Sequence, residues 1–558
     1  MRRAKVARII TLSLRLLRQG INIEQALRDE NNLEPRPCDK PPGAKLYAGK
    51  TGKPPAWKTL VEELTSTSLD VWSESSGSLL FVPVRSGTPD ERIIAVCFGT
   101  GHHALDPSAL EHQFGLKVVL NTVPKNRLRS IDSATLDAVT FQRRTQASRD
   151  ADLGEFGLEV ERDLLRVAAG TPSNTNFAKF VAGHDGLTIS TAFEPHDLAS
   201  KLTEVLEASE NNAYQKDFYW VDYIRPITDR GSLEKLDAAL LDELNSLRSG
   251  KPSDLHLCPP EIVEYKEGQE IAYYGTGLAS RKTSFSQLDI IDYAGELKRS
   301  NFSGDIEAIK THQVRVLRDE TSAEQPKWSV YKCFILEHET KGDIFILFGG
   351  NWFKVSKSFR DNVQRDFDKL CKPSFLPKTS AKNEKELITA LDMRSDMINL
   401  DQAKIQPKGV KGANIEPCDF FSNQRQFIHL KDGHSSSTIS HLWNQGLVSG
   451  DAFVSDRNFV SSLRSEVKKR QDKVGRDGFH SLLPTARGRP RAQDFVVIYG
   501  ILRRRNMRSG KLDLPFFSKV SLRPIAAQLK KFGFEVEIHL IEKVDAIGDG
   551  QKDLPIAA

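Results

Sequence analysis

Along the first twenty residues, apolar side chains alternate at Ile10, Leu12, Leu14 and Leu16, which predicts a strand over Arg8 to Leu17. A helix over Glu24 to Asp29, a strand at LYAG and a helix in PPAWKTLVEEL follow. The runs SLLFVPV and RIIAVCFG read as strands, DPSALEHQ as a helix capped by Asp106, and LKVVLNTV as another strand. This predicts an α+β domain over residues 1–130. Residues 131–325 mix strong helical patterns (DLASKLTEVLEA, LEKLDAALLDELNSL) with the strand-like DFYWVDYIRPI. Residues 326–380 contain WSVYKCFILEHE and DIFILFGGNWFKVS, a hairpin closed at Thr340 to Gly342. Residues 381–545 run helix EKELITALDM, strands MINLD, NIEPCDFF and QFIHLK, helix SSSTISHLWNQG, strand DFVVIYGIL, helix SLRPIAAQLKKFG and strand EVEIHLIE, with Asp472 to Gln493 as a loop. That order predicts a mixed sheet flanked by helices, and the unbroken apolar run Phe495 to Leu502 suits its buried centre. With a tail at 546–558, the chain reads as a multidomain α/β protein.

Chemistry concentrates between Asn414 and Gly446. A strand carrying Glu416 and Asp419, a polar turn at Ser422 to Arg425, and a second strand carrying His429 and Lys431 form a hairpin. Strand alternation sends His429 and Lys431 to one side. Next come Ser435, Ser436 and Ser437 at a helix start, where free amides and the helix dipole favour an anion. Ser437, His441 and Gln445 recur at four-residue spacing and share a helix face suited to phosphate positioning. Taken alone, His441 reads better as a histidine hydrogen-bonded within helix–sheet packing, and a structural Asp419–Lys431 ion pair is the alternative reading of that pair. The GTG at 99–101 and the adjacent His102 and His103 have no partners at ligand spacing and read as a tight turn.

Charge sharpens this picture. The formal net charge is +5, yet residues 464–531 hold 18 Lys or Arg against 5 Asp or Glu, a local +13 that leaves −8 on the remainder. A polyanion is the expected partner, with Arg503, Arg504 and Arg505 gripping a nucleic-acid backbone. No apolar run approaches the ~18 residues that span a bilayer, and the opening apolar stretch is interrupted by Arg15 and Arg18, so neither a membrane nor a leader is expected. The six cysteines show no C-x-x-C pair, which predicts reduced thiols in a cytoplasmic protein and no structural zinc.

The C-terminal order resembles the restriction-endonuclease-like core, whose PD-(D/E)xK motif places an acid on one strand and an acid-x-Lys triplet on the next. The resemblance puts Asp419 in the place of the first acid and His429-Leu430-Lys431 in that of the triplet, with His429 standing where that family has Asp or Glu. It implies Mg2+ held by Asp419 with Glu416, or Asp401 supplying the missing carboxylate, with Lys431 stabilising developing charge and His429 serving as ligand or proton carrier. His-x-Lys also resembles half of the phospholipase D-type HxK(x)4D motif, in which histidine attacks phosphorus without metal. Here Ser436 stands at the Asp position, and a single copy of the motif would require a homodimer. Nearly the whole chain, through FGTGHHALDPSALEHQFGLKVVLNTV, GGNWFKVS, IEPCDFF with FIHLK, SHLWNQGLVS and LPFFSKVSLR, resembles a sporadically distributed, uncharacterised bacterial family linked to mobile elements and defence loci. Together these imply a metal-dependent nuclease acting on DNA or RNA. The alternative is a non-enzymatic nucleic-acid-binding or scaffold protein of a defence system.

Overall fold

The computed structural model describes residues 9–55, 57–87, 90–135, 140–160, 163–251, 253–262, 270–279, 283–317, 325–407, 414–433, 436–485, 488, 490–505 and 510–544. It is a mixed α/β, multi-sheet protein. The expected first strand, Ile9–Leu16, lies near the middle of a ten-stranded antiparallel sheet that continues past residue 130 to the strand Leu187–Ala192. The expected hairpin of the middle region pairs Phe334–Thr340 with Asp343–Phe348, turning through Lys341 and Gly342 with φ of 52° and 77°. It belongs to a five-stranded sheet, and a three-stranded sheet packs nearby.

Several elements differ from expectation. DPSALEHQ makes only the short helical turn Pro107–Ala109, with Asp106 accepting the Ser108 amide at 2.8 Å. LKVVLNTV is the helix Phe114–Thr122, buried on most of its circumference by Phe114, Leu116, Val118, Val119 and Leu120. A helix enclosed on nearly all sides presents the same continuous apolar run as a buried strand. DFYWVDYIRPI forms short helical turns over Gln215–Phe218 and Tyr219–Tyr223, and only Ile224–Pro226 is strand. Its aromatics favour strand intrinsically, but burial of Phe218, Trp220 and Val221 and the Tyr214 hydroxyl's bond to Asp222 (2.9 Å) hold the chain coiled.

The C-terminal module comprises β1 (Cys371–Lys372), α1 (Glu384–Leu391), β2 (Met397–Asn399), β3 (Phe420–Ser422), β4 (Gln426–Asp432), α2 (Ser436–Ser455), α3 (Arg457–Lys473), β5 (Val496–Arg503), α4 (Phe516–Phe532) and β6 (Glu535–Glu542). The sheet order is β1-β6-β5-β4-β3-β2. β1, β6, β5 and β4 run parallel, while β3 pairs antiparallel with both β4 and β2. Alternate residues of β5 sort into two cores. Val497, Tyr499 and Ile501 meet α2, α3 and α4, whereas Ile498 and Leu502 join Leu387, Ile388 and Leu391 of α1. A strand buried on both faces needs no polar alternation, which is why its run is unbroken. Helix α3 occupies a stretch to which the sequence patterns assigned no element, and runs two residues into the expected loop; Asp456 caps it by accepting from the Asn458 amide at 2.8 Å, and Phe459, Val460, Leu463 and Val467 form its apolar stripe. Buried Glu337 of the five-stranded sheet accepts the Phe516 and Phe517 amides at 2.6 and 3.1 Å, tying that sheet to the start of α4.

Helix α2 approaches β5 closely at Gly446, where an added methyl would collide with the Tyr499 phenol, whose hydroxyl donates to the Trp443 carbonyl at 3.0 Å. Alanine normally stabilises a helix interior relative to glycine. Here the sign should reverse: Gly446→Ala is expected to lower stability by roughly 1–3 kcal/mol, read as a fall in the urea midpoint.

Candidate metal-binding acid cluster

The tight turn between β3 and β4 is set by Ser422, whose hydroxyl accepts the Gln424 and Gln426 amides at 3.1 and 3.2 Å, and by Arg425 at φ 60°. This registers Phe420 against Ile428. Asp419, just before β3, donates its amide to Ile428 O at 2.9 Å, and its carboxylate Oδ2 accepts the Leu430 amide at 2.6 Å. The carboxylate thus serves as an acceptor for β4. From the other side, Leu400 donates to Asp419 O at 2.7 Å and carries the loop that bears Asp401. Gln402, at φ 58°, turns that loop and donates its amide to Glu416 Oε1 at 2.6 Å. As a result, carboxylate oxygens of Asp401, Glu416 and Asp419 lie within 4.8 Å of one another.

Electrostatics makes this arrangement costly without a cation. Burial pushes the Asp419 carboxyl up to about 8, against the Leu430 hydrogen bond that favours the anion; the Glu416, Glu384 and Asp401 charges add to the rise. Glu416 is raised too, first by burial and then by Asp401 and Glu384, partly offset by its bond from Gln402 and by Lys431. The nearest balancing charge is Lys431, whose Nζ sits 2.8 Å from Glu384 Oε2 at the first residue of α1. Lys431 thus pairs with Glu384 at the edge of the acid cluster, both side chains partly exposed. Three carboxylates converging on one point are a donor set suited to a hard divalent cation such as Mg2+. The residues present fit that ion.

His429 goes elsewhere. It is 3% exposed, its Nε2 has no hydrogen-bond partner, its ring centroid lies 5.7 Å from that of Tyr499, and burial lowers its pKa to about 4. It therefore stands in the apolar layer beneath α2 rather than with Asp419 and Lys431. On α2, His441 is exposed and Gln445 half-buried, while the side chains of Ser436 and Ser437, and Ser435 itself, lie outside the described residues. Arg503 donates to the Gly433 carbonyl, and Arg505 grips both oxygens of Glu542 at 2.5 and 3.0 Å. Arg504 is exposed. Other cations of the basic segment are also spent internally: Arg476 on the Met397 and Asp392 carbonyls, Arg523 on Asp366, and Lys519 on Gln364 and Asp513. Lys468, Lys469, Lys473, Arg491, Lys530 and Lys531 remain exposed. All six cysteines are free thiols, and among the described residues no helix is long and apolar enough to cross a membrane.

Sequence reasoning missed Glu384. Glu384 follows the Asn383 cap, a recognisable helix-start signal, but its meeting with Lys431 depends on how α1 lies against the sheet. The chain belongs to the family of unknown function DUF6119, whose model matches residues 12–542. No curated protein and no solved structure matches it.

The two buried titratable groups give opposite pH signatures. Asp419, raised to about 8, keeps its proton in the folded state while the unfolded carboxyl, near ~3.9, has lost it; it therefore removes stability as pH rises from ~4 to 8, by up to ~1.4 kcal/mol per pH unit. His429, lowered to about 4, is neutral when folded and protonated when unfolded below ~6.5, so its contribution is lost as pH falls through that window. The stability difference of Asp419→Asn from the parent should accordingly climb between pH 4 and 8. That of His429→Leu should decline between pH 4 and 6.5 and then level off. Denaturant titrations of both variants across this range would check it.

Proposed function

We propose that the C-terminal module is a nucleic-acid phosphodiesterase dependent on a divalent cation, acting within a mobile-element or defence system of the kind its sequence resemblance implies. The observation that carries this reading is the convergence of Asp401, Glu416 and Asp419, with the Lys431 ammonium beside them. Burial and mutual repulsion disfavour three bare carboxylates at this spacing, and a bound cation would reverse that penalty. When bound, Mg2+ would supply Lewis acidity toward a phosphoryl oxygen and acidify a coordinated water. Asp419, Glu416 and Asp401 would hold it, Asp419 being fixed by the Leu430 amide. Lys431, oriented by Glu384, would stabilise charge accumulating on the scissile phosphate. In this reading the place of the acid missing from the triplet is taken by Asp401 from the preceding loop, not by His429. The buried Nε2 of His429 argues against a histidine nucleophile, since attack on phosphorus needs an imidazole that substrate can reach.

Exposed Lys473 on α3, with Lys468 and Lys469 released from their weak surface pairs with Asp472 (2.9 Å) and Glu466 (3.5 Å), and His441 on α2, would meet the backbone of DNA or RNA. The phosphate-positioning role expected of Ser436, Ser437 and Gln445 belongs to the same proposal. Arg503 and Arg505 contribute less to such a grip, because each already holds an intramolecular acceptor.

Purified full-length protein incubated with end-labelled single- and double-stranded DNA and RNA should cleave with Mg2+ and not with chelator. Asp419→Asn and Lys431→Met should each reduce the rate by at least ~100-fold while leaving the circular dichroism spectrum unchanged. Cleavage that persists in chelator, or Lys431→Met cutting at the parental rate, would overturn the assignment. Binding without turnover, weakening steeply with salt, would identify a nucleic-acid-binding scaffold instead.

A further inference from the structure

Arg470 is the last arginine of α3, and its guanidinium is engaged at Nε and Nη1. Nε meets Glu466 Oε1 one turn earlier at 2.9 Å, and Nη1 donates to the carbonyls of Asn399 and Asp401 at 3.3 and 3.2 Å. Six residues on, Arg476 donates to the carbonyl of Met397 at 2.6 Å and to that of Asp392 at 2.9 Å. Residues 397, 399 and 401 alternate along and just beyond β2, the edge strand of the six-stranded sheet. Alternate carbonyls of an edge strand point away from the sheet, where no neighbouring strand can receive them. The two arginines therefore take the place of a missing seventh strand. They also account for part of the positive charge that the sequence assigned to a polyanion.

Arg470 differs from Arg476 in what its carbonyls carry. The loop it holds is the one that delivers Asp401 to Glu416 and Asp419. On its inner side that loop is held by the Leu400 amide on Asp419 O at 2.7 Å, the Gln402 amide on Glu416 Oε1 at 2.6 Å and the Asp401 amide on Asn399 Oδ1 at 2.9 Å, while Gln402 sits in the left-handed region that a non-glycine residue adopts at a cost. The Asp401 carboxylate has to stay within 4.8 Å of two other acidic side chains. The guanidinium spanning the Asn399 and Asp401 carbonyls holds the outer side of the loop that places it there.

We propose that Arg470 is a positioning residue for the cation site, clamping the 399–402 loop so that the Asp401 carboxylate completes the acid cluster. The proposal rests on the cation-site part of the functional reading above. It assigns Arg470 no contact with cation or substrate, and it gives one arginine of the basic segment a role unrelated to gripping nucleic acid.

The test compares Arg470→Met with Arg476→Met in the full-length chain. Both lose bonds to carbonyls of the same sheet edge, so a merely structural role predicts similar losses of thermal stability and no change in ion affinity. Mg2+ affinity is measured by calorimetry, and Mn2+ affinity by electron paramagnetic resonance, at a temperature where both variants are folded. The expected result is a ten- to hundredfold weaker ion affinity in Arg470→Met, near-parental affinity in Arg476→Met, and partial recovery in Arg470→Lys, which can still reach one carbonyl. Equal ion affinity in Arg470→Met and the parent, or equal weakening in both methionine variants, overturns the proposal. A parent that binds Mg2+ but cleaves nothing overturns the phosphodiesterase reading alone and leaves the clamp standing. A folded parent that binds neither ion overturns both.

Discussion

One hydrogen bond organises the C-terminal module: the Asp419 carboxylate accepting the Leu430 amide. It fastens the approach to β3 onto β4 where regular pairing stops. It also commits a charge-bearing group to a site only 9% exposed. An acid held there by a backbone amide cannot rotate away from its neighbours, so every carboxylate brought close raises the cost of ionising it. Asp401 and Glu416 are brought close from the two ends of the connection between β2 and β3, each through its own short backbone contacts. The cluster is therefore a product of sheet edge geometry, and its frustration is built into the fold.

Around this point the module spends its positive charge in two different ways. Lys431 answers the acids directly, through Glu384. Arg470 and Arg476 answer backbone carbonyls of the exposed strand edge, where an unpaired row of acceptors would otherwise invite another strand. Buried Glu337 performs a comparable service in reverse: a carboxylate from the middle sheet receives the first amides of α4. Burial raises it to about 7, so the junction between sheets carries a group that titrates near neutrality. Ionisable residues are used here largely to terminate secondary structure, and net charge along the chain is a poor guide to how much remains for a ligand.

How much of this could be read from residues alone depended on the range of the interaction. Alternation and run length located most strands of the C-terminal sheet, because a strand buried on both faces must be apolar along its buried length, as the run from Phe495 to Leu502 is. The hairpin carrying Asp419 and Lys431 was legible because a polar turn of four residues between apolar runs has few other solutions. The helix Phe114–Thr122 was not, since enclosure on nearly all sides erases the periodicity that separates helix from strand. His429 was misjudged as a partner of Lys431 for a related reason: two residues on one side of a strand share a direction, yet the depth of cover above each differs. His429 lies under α2 beside Tyr499, and Lys431, one step nearer the end, reaches Glu384.

The sequence by itself determined which segments are strands and helices in most of the C-terminal module, that Asp419 and Lys431 arrive on one hairpin, and that positive charge gathers after residue 463. These follow from local periodicity, turn chemistry and composition. Only the tertiary structure decided that Asp401 and Glu416 complete the acid cluster, that Glu384 holds Lys431, that His429 is sealed inside, and that Arg470 faces carbonyls instead of solvent. Each of these joins residues distant along the chain or depends on the packing above a strand, and neither separation in space nor depth of burial is encoded in any short window of residues.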